Sequence, residues 1–275
     1  MKKELKEIKK KEEKIVIPEP AEDTKEAEKI EIAEIAAVAE EAPEVPYRRK
    51  SREEMEKEAR AEKVASWVPK TEIGRKVKEG KIKNIDEILE SGKKILEYQI
   101  VDKLMPNIQM DLLTIGQAKG KFGGGKRRFW RQTQRKTAEG NVPSFACMVV
   151  VGDGNGHVGL GMGKAKETLP AKEKALRAAK LGLISIKRGC GSFDCSCSDL
   201  HSIPFKIEGK VGSSIMKLIP APKGTGLVID GECKKIMAAA GIKDVYSRSF
   251  GQTRTKINLA QACVNALKSI KGVKR

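Results

Sequence analysis

Histidine is scarce in this chain, with two in 275 residues. They stand at His157 and His201, and nothing around either organises a nucleophile and base into a reacting pair. No set of carboxylates is arranged for acid–base work either, so no catalytic residues are expected and the chain does not read as an enzyme. Long apolar runs are also missing. No segment approaches the roughly 18–20 residues that a bilayer span needs, so no membrane partner is expected. The Lys/Glu-rich N-terminus has no apolar stretch of the kind a secretory signal requires. With no export signal, Cys147, Cys190, Cys195, Cys197, Cys233 and Cys263 are expected as reduced thiols of a cytoplasmic protein.

The third shortage, of acidic residues, is local. Residues 1–66 hold 16 Lys and Arg against 19 Asp and Glu, a balance of −3. The remainder therefore holds 55 − 16 = 39 basic against 37 − 19 = 18 acidic residues, a balance of +21. A folded part this basic points to a polyanionic partner rather than an acidic protein.

What the chain does have is concentrated in residues 142–166. An apolar run from Phe145 to Val151 enters Asp153-Gly154-Asn155-Gly156, and an extended run leaves toward Lys164. Asp-Gly and Asn-Gly accept positive φ, so the pattern predicts two antiparallel strands joined by a tight turn. Gly159, Gly161 and Gly163 leave the returning strand nearly bare of side chains. A bare strand ending in Lys164 and Lys166 would let a bulky anionic partner approach its backbone. Upstream, Lys126, Arg127, Arg128, Arg131, Arg135 and Lys136 crowd into one basic loop. Together with the hairpin it reads as an RNA-contacting surface.

Gly154-x-Gly156-x-x-Gly159 has the spacing of a dinucleotide-binding fingerprint, but its third glycine should open a helix, whereas Val158 to Gly163 reads as extended chain. Gly163-Lys164 is followed by Ala165 rather than Ser or Thr, so a P-loop fails as well. No small-molecule substrate and no cofactor are expected.

Four regions follow along the chain. Residues 1–66 are Lys/Glu/Ala-rich and interrupted by Pro18, Pro20, Pro43 and Pro46, which predicts a charged N-terminal extension, disordered or partly helical. Residues 67–97 form a helical lead-in starting at Trp67-Val68-Pro69. Within it, Asn84 as cap and Glu87 at the reciprocal position start a helix that Gly92 stops.

Residues 98–182 read as helix, three strands, helix, the order of a double-stranded-RNA-binding module. Ile108 to Ile115 is the first strand, the hairpin supplies the next two, and the closing helix runs from about Lys166 to Leu181. Ala171, Ala175, Ala178 and Ala179 share one side of that helix. Residues 188–275 read as a compact two-layer α/β domain. Its strands are expected at Ile203 to Ile207, Ile215 to Ile219 and Gly226 to Ile229. A helix from about Glu232 to Ala240 ends at Gly241, and a last helix turns Ala260, Cys263, Val264, Leu267 and Ile270 to one face. The fold class is α+β.

These residues resemble one family. Val150-Val151-Gly152-Asp153-Gly154-Asn155-Gly156-His157-Val158-Gly159 with Gly163-Lys164-Ala165-Lys166-Glu167 is similar to the signature of the small-subunit ribosomal protein five family. His201-Ser202-Ile203-Pro204-Phe205, Pro220-Ala221-Pro222-Lys223-Gly224-Thr225-Gly226 and Ala240-Gly241-Ile242-Lys243-Asp244-Val245 agree in the second domain. Trp67-Val68-Pro69-Lys70-Thr71 and Arg188-Gly189-Cys190-Gly191-Ser192 resemble the archaeal-type branch. The likeness covers about residues 66 to 270 in order.

The resemblance implies a structural constituent of the small subunit of the cytoplasmic ribosome. It further implies that the chain binds small-subunit rRNA, lies beside ribosomal protein four and neighbouring small-subunit proteins, and supports messenger entry and translational accuracy with proteins four and twelve. By position, the resemblance makes the basic loop Lys119 to Lys136 and the glycine hairpin Gly152 to Lys166 the RNA-facing candidates. The residues expected there are Lys119, Lys121, Lys126, Arg127, Arg128, Arg131, Arg135, Gly152, Gly154, Gly156, Gly159, Lys164 and Lys166. Two other readings stand beside it. One is a free-standing double-stranded-RNA-binding regulator; the other is a phosphate-binding kinase-like protein, suggested by Lys223-Gly224-Thr225-Gly226.

Cys190-x4-Cys195-x-Cys197-x3-His201 offers ligand types that suit zinc. The spacing departs from the usual Cys-x-x-Cys, however, and a one-residue gap strains tetrahedral chelation. Reduced thiols without a stoichiometric metal are therefore the expectation.

Overall fold

The computed structural model of the chain describes Met55, Glu62 and residues 64–117, 127–197 and 199–270. The expected N-terminal extension lies almost wholly outside the described residues, and so do Lys119, Lys121 and Lys126.

Trp67, where the helical lead-in is expected to start, is a buried anchor. The indole is 6% exposed, and its Nε1 donates to Glu97 Oε2 at 2.8 Å. The other oxygen of Glu97 accepts from the Lys70 and Thr71 amides at 2.9 and 2.7 Å. Burial raises the pKa of Glu97, but the bonds from Thr71, Lys70 and Trp67 outweigh it and leave the carboxyl below its ordinary value. Helix α1 (Glu72–Lys78) is capped by Thr71, whose hydroxyl accepts from the Gly74 amide. Helices α2 (Ile85–Glu90) and α3 (Tyr98–Leu104) follow. Asn84 does occupy the N-cap of α2, but its side chain makes no capping bond. The first turn is anchored instead through Asp86, which meets His157 Nε2 at 2.8 Å.

The first sheet contains β1 (Gln109–Leu112), β2 (Trp130–Thr137), β3 (Gly140–Gly152), β4 (His157–Ala165) and β5 (Leu183–Ser185), with α4 (Thr168–Leu181) between the last two. Its order is β1-β3-β4-β5, and β2 also pairs with β3. The expected glycine-rich hairpin is β3–β4, joined across residues 153–156. Two strands of this sheet were not anticipated. Strand β5 is only three residues long. Strand β2 occupies what reads as the second half of a basic loop, and every residue in it after Trp130 is exposed. A strand wet on both faces has no apolar alternation to announce it. Its register, Trp130 opposite Cys147 through Thr137 opposite Gly140, comes from pairing with β3.

Strand β3 explains the architecture. Cys147, Val149 and Val151 point into a core shared with Ala171, Ala175 and Ala179 of α4 and with Ile100 and Val101 of α3. The alternate residues Met148 and Val150 point the other way, into a core with Met216, Leu218, Ile236 and Leu267. A strand covered on both faces is apolar at every position, which is why Phe145 to Val151 is a continuous run.

The second core belongs to β6 (Ile207–Val211), β7 (Ser214–Pro220), β8 (Leu227–Val228), α5 (Gly231–Ala239), β9 (Val245–Phe250) and α6 (Lys256–Ser269). The sheet order is β6-β7-β9-β8, with β8 and β9 parallel. Helix α6 packs on β6 and β7. All five apolar residues assigned to one of its faces, Ala260, Cys263, Val264, Leu267 and Ile270, are buried. The first expected strand starts later than its alternation suggests, at Ile207, because Ile203 to Phe205 is irregular chain.

Polar contacts seal the seam between the domains. Glu232, at the start of α5, accepts from the Thr114 amide at 2.7 Å and also bonds the Thr114 hydroxyl. Lys235 donates to the Leu112 carbonyl at 2.8 Å. The Gly154 amide donates to the Ala239 carbonyl at 3.0 Å, and the Arg188 guanidinium reaches the Gly154 and Gly241 carbonyls.

Candidate nucleic-acid interface

The β3–β4 connection is built around Asp153. One carboxylate oxygen accepts from the Asn155 and His157 amides at 2.8 and 3.1 Å, and the other meets His157 Nδ1 at 2.7 Å. Gly154 and Gly156 take φ of +73° and +109°, values that L side chains rarely adopt. The His157 ring lies between Asp153 and Asp86. The bond to Asp153 raises its pKa, burial lowers it, and Asp86 adds to the rise, so the net direction is up. Burial pushes Asp153 up, but the bonds from His157 and the two amides prevail and its carboxyl lies low. His157 is a tie between the turn and α2.

The glycines of β4 are placed differently from the bare, partner-facing strand expected. A Cβ on Gly159 would stand 2.2 Å from the Ala179 carbonyl oxygen, one on Gly161 2.1 Å from the Ala179 nitrogen, and one on Gly163 2.3 Å from the Ala171 oxygen. Their open face is filled by the alanine side of α4. Gly152 is likewise against α5, with a Cβ meeting Ala239 O at 2.2 Å. Gly152, Gly156 and Gly159 are buried inside the protein, while at the tip Asp153 and Gly154 are partly open and Asn155 is exposed. Glycine here serves packing between sheet and helix.

The basic residues come together on the other face of the sheet. Ala146 is registered opposite Arg131 on β2 and opposite Lys164 on β4. Directly paired residues project to the same side, so Arg131 and Lys164 flank a small alanine on the side that carries the second domain. Arg135, four residues along β2, shares that side, with Thr133 and Ser144 between them joined hydroxyl to hydroxyl at 2.9 Å. Arg128, Arg131, Arg135, Lys164 and Lys166 are exposed. Among the described residues none of these five takes part in an ion pair. Unpaired, closely spaced cations are what a phosphate backbone needs.

Sequence reading missed one member. Arg254 joins Arg127 and Arg131 around a polar cleft of about 440 Å³ whose floor includes Gly116 and Gln117. Arg127 donates to the Arg254 carbonyl at 3.3 Å, linking the two domains' basic groups. The available signal was Gly251, at φ +78° and against the Ser213 carbonyl, which forces the turn that presents Gln252 to Thr255.

The kinase-like reading finds no free cradle. The Gly224 and Gly226 amides donate to Asp244 Oδ1 at 3.1 and 2.8 Å, and Lys223 is paired with Asp199 at 2.5 Å. The groups that would hold a phosphate are already satisfied from within.

Comparison with known proteins supplies the class. Residues 130–187 match the ribosomal protein S5 N-terminal domain and residues 209–275 the ribosomal protein S5 C-terminal domain. The chain belongs to the ribosomal protein S5 family. Its relatives include the small ribosomal subunit protein uS5 of Nanoarchaeum equitans, 49% identical over 211 residues covering 77% of this chain and 90% of that protein. The protein of the same name from Thermofilum pendens is 46% identical over 202 residues, 74% of this chain and 93% of the relative. That of Methanobrevibacter smithii is 44% identical over 211 residues, 77% and 92%. The archaeal branch of the family is therefore the one to which this chain is similar, and these relatives are ribosomal structural proteins rather than enzymes.

Proposed function

We propose that this chain is an RNA-binding structural constituent of the small subunit of the cytoplasmic ribosome, and that its basic sheet face and cleft contact small-subunit rRNA. The observation that carries the contact is the unpaired row of Arg131, Lys164 and Arg135, extended by Arg127 and Arg254 across the domain seam. Lys and Arg neutralise phosphates and release counterions, which gives tight, steeply salt-dependent binding. Lys119, Lys121 and Lys126, which lie outside the described residues, are included in the proposal on the strength of the sequence and the family resemblance. Gly159 supports the surface from behind, where α4 presses on the sheet, while Gly152 lies against α5 on the second-domain side and Gly156 against the Ile186 carbonyl. From the family resemblance we further infer a contact with ribosomal protein four and, with proteins four and twelve, a part in messenger entry and decoding accuracy.

Sedimentation tests the reading. A tagged copy at native level is followed through a sucrose gradient of lysate in moderately high salt. Co-migration with small subunits at near one copy each is expected, and recovery only in the light, RNA-poor fractions overturns the proposal.

A further inference from the structure

The spacing Cys190-x4-Cys195-x-Cys197-x3-His201 argues against chelation, yet the folded loop brings all four ligand atoms within 4.8 Å of one another. Cys195 Sγ lies 2.9 Å from Cys197 Sγ and 3.8 Å from His201 Nε2. A tetrahedral zinc with bonds of about 2.3 Å to sulfur has ligand atoms roughly 3.8 Å apart along each edge. The observed separations bracket that edge, so small side-chain rotations complete the shell. We infer that Cys190, Cys195, Cys197 and His201 form a structural zinc site of three thiolates and one imidazole.

The surroundings fit that assignment independently of the spacing. His201 is 4% exposed, and its Nδ1 is 2.8 Å from Asp244 Oδ2. With Nδ1 donating to the carboxylate, the lone pair of Nε2 is turned toward the three sulfurs. A carboxylate behind a ligating histidine is the usual outer partner of zinc, fixing both tautomer and ring orientation. Asp244 is itself held, since its other oxygen accepts the Gly224 and Gly226 amides. The ring position is set further by the His201 carbonyl, which accepts from the Lys243 and Asp244 amides at 2.8 and 3.2 Å.

The loop also needs a cross-link. A single antiparallel bridge, Gly189 with Ser202, closes its base. Within the loop Phe193 and Leu200 are exposed rather than folded into a core. A metal joining its two arms supplies the order that apolar burial does not. Binding releases the protons of the three thiols and leaves the zinc centre with one net negative charge, close to the Lys223 ammonium.

The test uses the full chain, purified without a histidine tag and dialysed, together with small subunits from the same cells. Elemental analysis is expected to find about one zinc per chain. Cobalt(II) exchanged into the protein is expected to give the thiolate charge-transfer and d–d absorption of a tetrahedral site. Under native conditions Cys190, Cys195 and Cys197 resist a thiol reagent until a strong chelator is added. Cys195→Ser and Cys190→Ser are expected to lose the metal, while Cys263→Ala, in the buried core of α6, keeps it. Three freely reacting thiols in metal-free wild-type protein, with octahedral or absent cobalt bands, overturn the site without recourse to any variant. Retention of zinc by both serine variants overturns the ligand assignment.

Discussion

Gly159 faces Ala179 so closely that the space between strand β4 and helix α4 admits no side chain: an added Cβ would lie 2.2 Å from the Ala179 carbonyl oxygen. Gly159→Ala and Gly161→Ala are expected to destabilise the fold by about 1–3 kcal/mol each, through overpacking of a backbone-to-backbone contact. Gly231→Ala is the comparison, since nothing lies within 4 Å of its added Cβ, and it should stay within about 0.5 kcal/mol. Urea midpoints read the difference. Equal midpoints for Gly159→Ala and wild type would show that the helix can retreat.

His157 makes stability fall with rising pH. Its folded-state pKa is raised, so its contribution is complete below the unfolded value of about 6.5 and is lost as pH climbs through the folded value. Asp153 has the opposite sign: its pKa is lowered, so its contribution holds above about 3.9 and is lost as pH drops through the folded value. His157→Asn should flatten the neutral-to-alkaline decline in urea midpoint and also shrink the acid limb, because the His157 side chain is the first of the bonds that hold Asp153 low. The idea fails if the variant and wild type decline in parallel.

The seam between the domains rests heavily on Glu232, which takes two bonds from Thr114. Glu232→Ala leaves the Thr114 amide without its partner, and a cost of about 1–3 kcal/mol follows from the stranded donor. Because both domains share β3, loss should appear in a single unfolding transition; two separated transitions would contradict the shared core.

Arg131 and Lys164 flank Ala146, and the double variant Arg131→Ala with Lys164→Ala is expected to weaken binding of a small-subunit rRNA fragment. The slope of log affinity against log salt should fall by up to about one per lost phosphate contact. Filter binding across a salt series measures it. An unchanged slope removes this face from the interface and leaves the cleft around Arg254 to be tested alone.

What could be read from the sequence followed from burial. The alanine side of α4 and the apolar side of α6 are buried as their periodicity requires, because a half-buried helix must show its pattern. Strand β2 could not be read this way, since Arg131 to Thr137 is exposed on both faces and its pairing is decided by β3. Strand β9 is similar: Val245 is its one fully buried residue. The glycines of β4 were read correctly as bare and wrongly as open, because sequence shows that a side chain is missing but not what fills the gap. At the site, clustered arginines were visible as local runs, whereas Arg254 arrives from more than a hundred positions away through a turn.

The two-sided burial of β3 has a consequence for synthesis. Met148 and Val150 leave the ribosome long before Met216, Ile236 and Leu267 exist to cover them. At about 5–20 residues per second, the last of those partners follows several seconds later. During that interval a sheet complete on one side offers a sticky, unfinished wall on the other. A nascent chain of this design calls for a chaperone or an early RNA contact while half of its central strand waits for company.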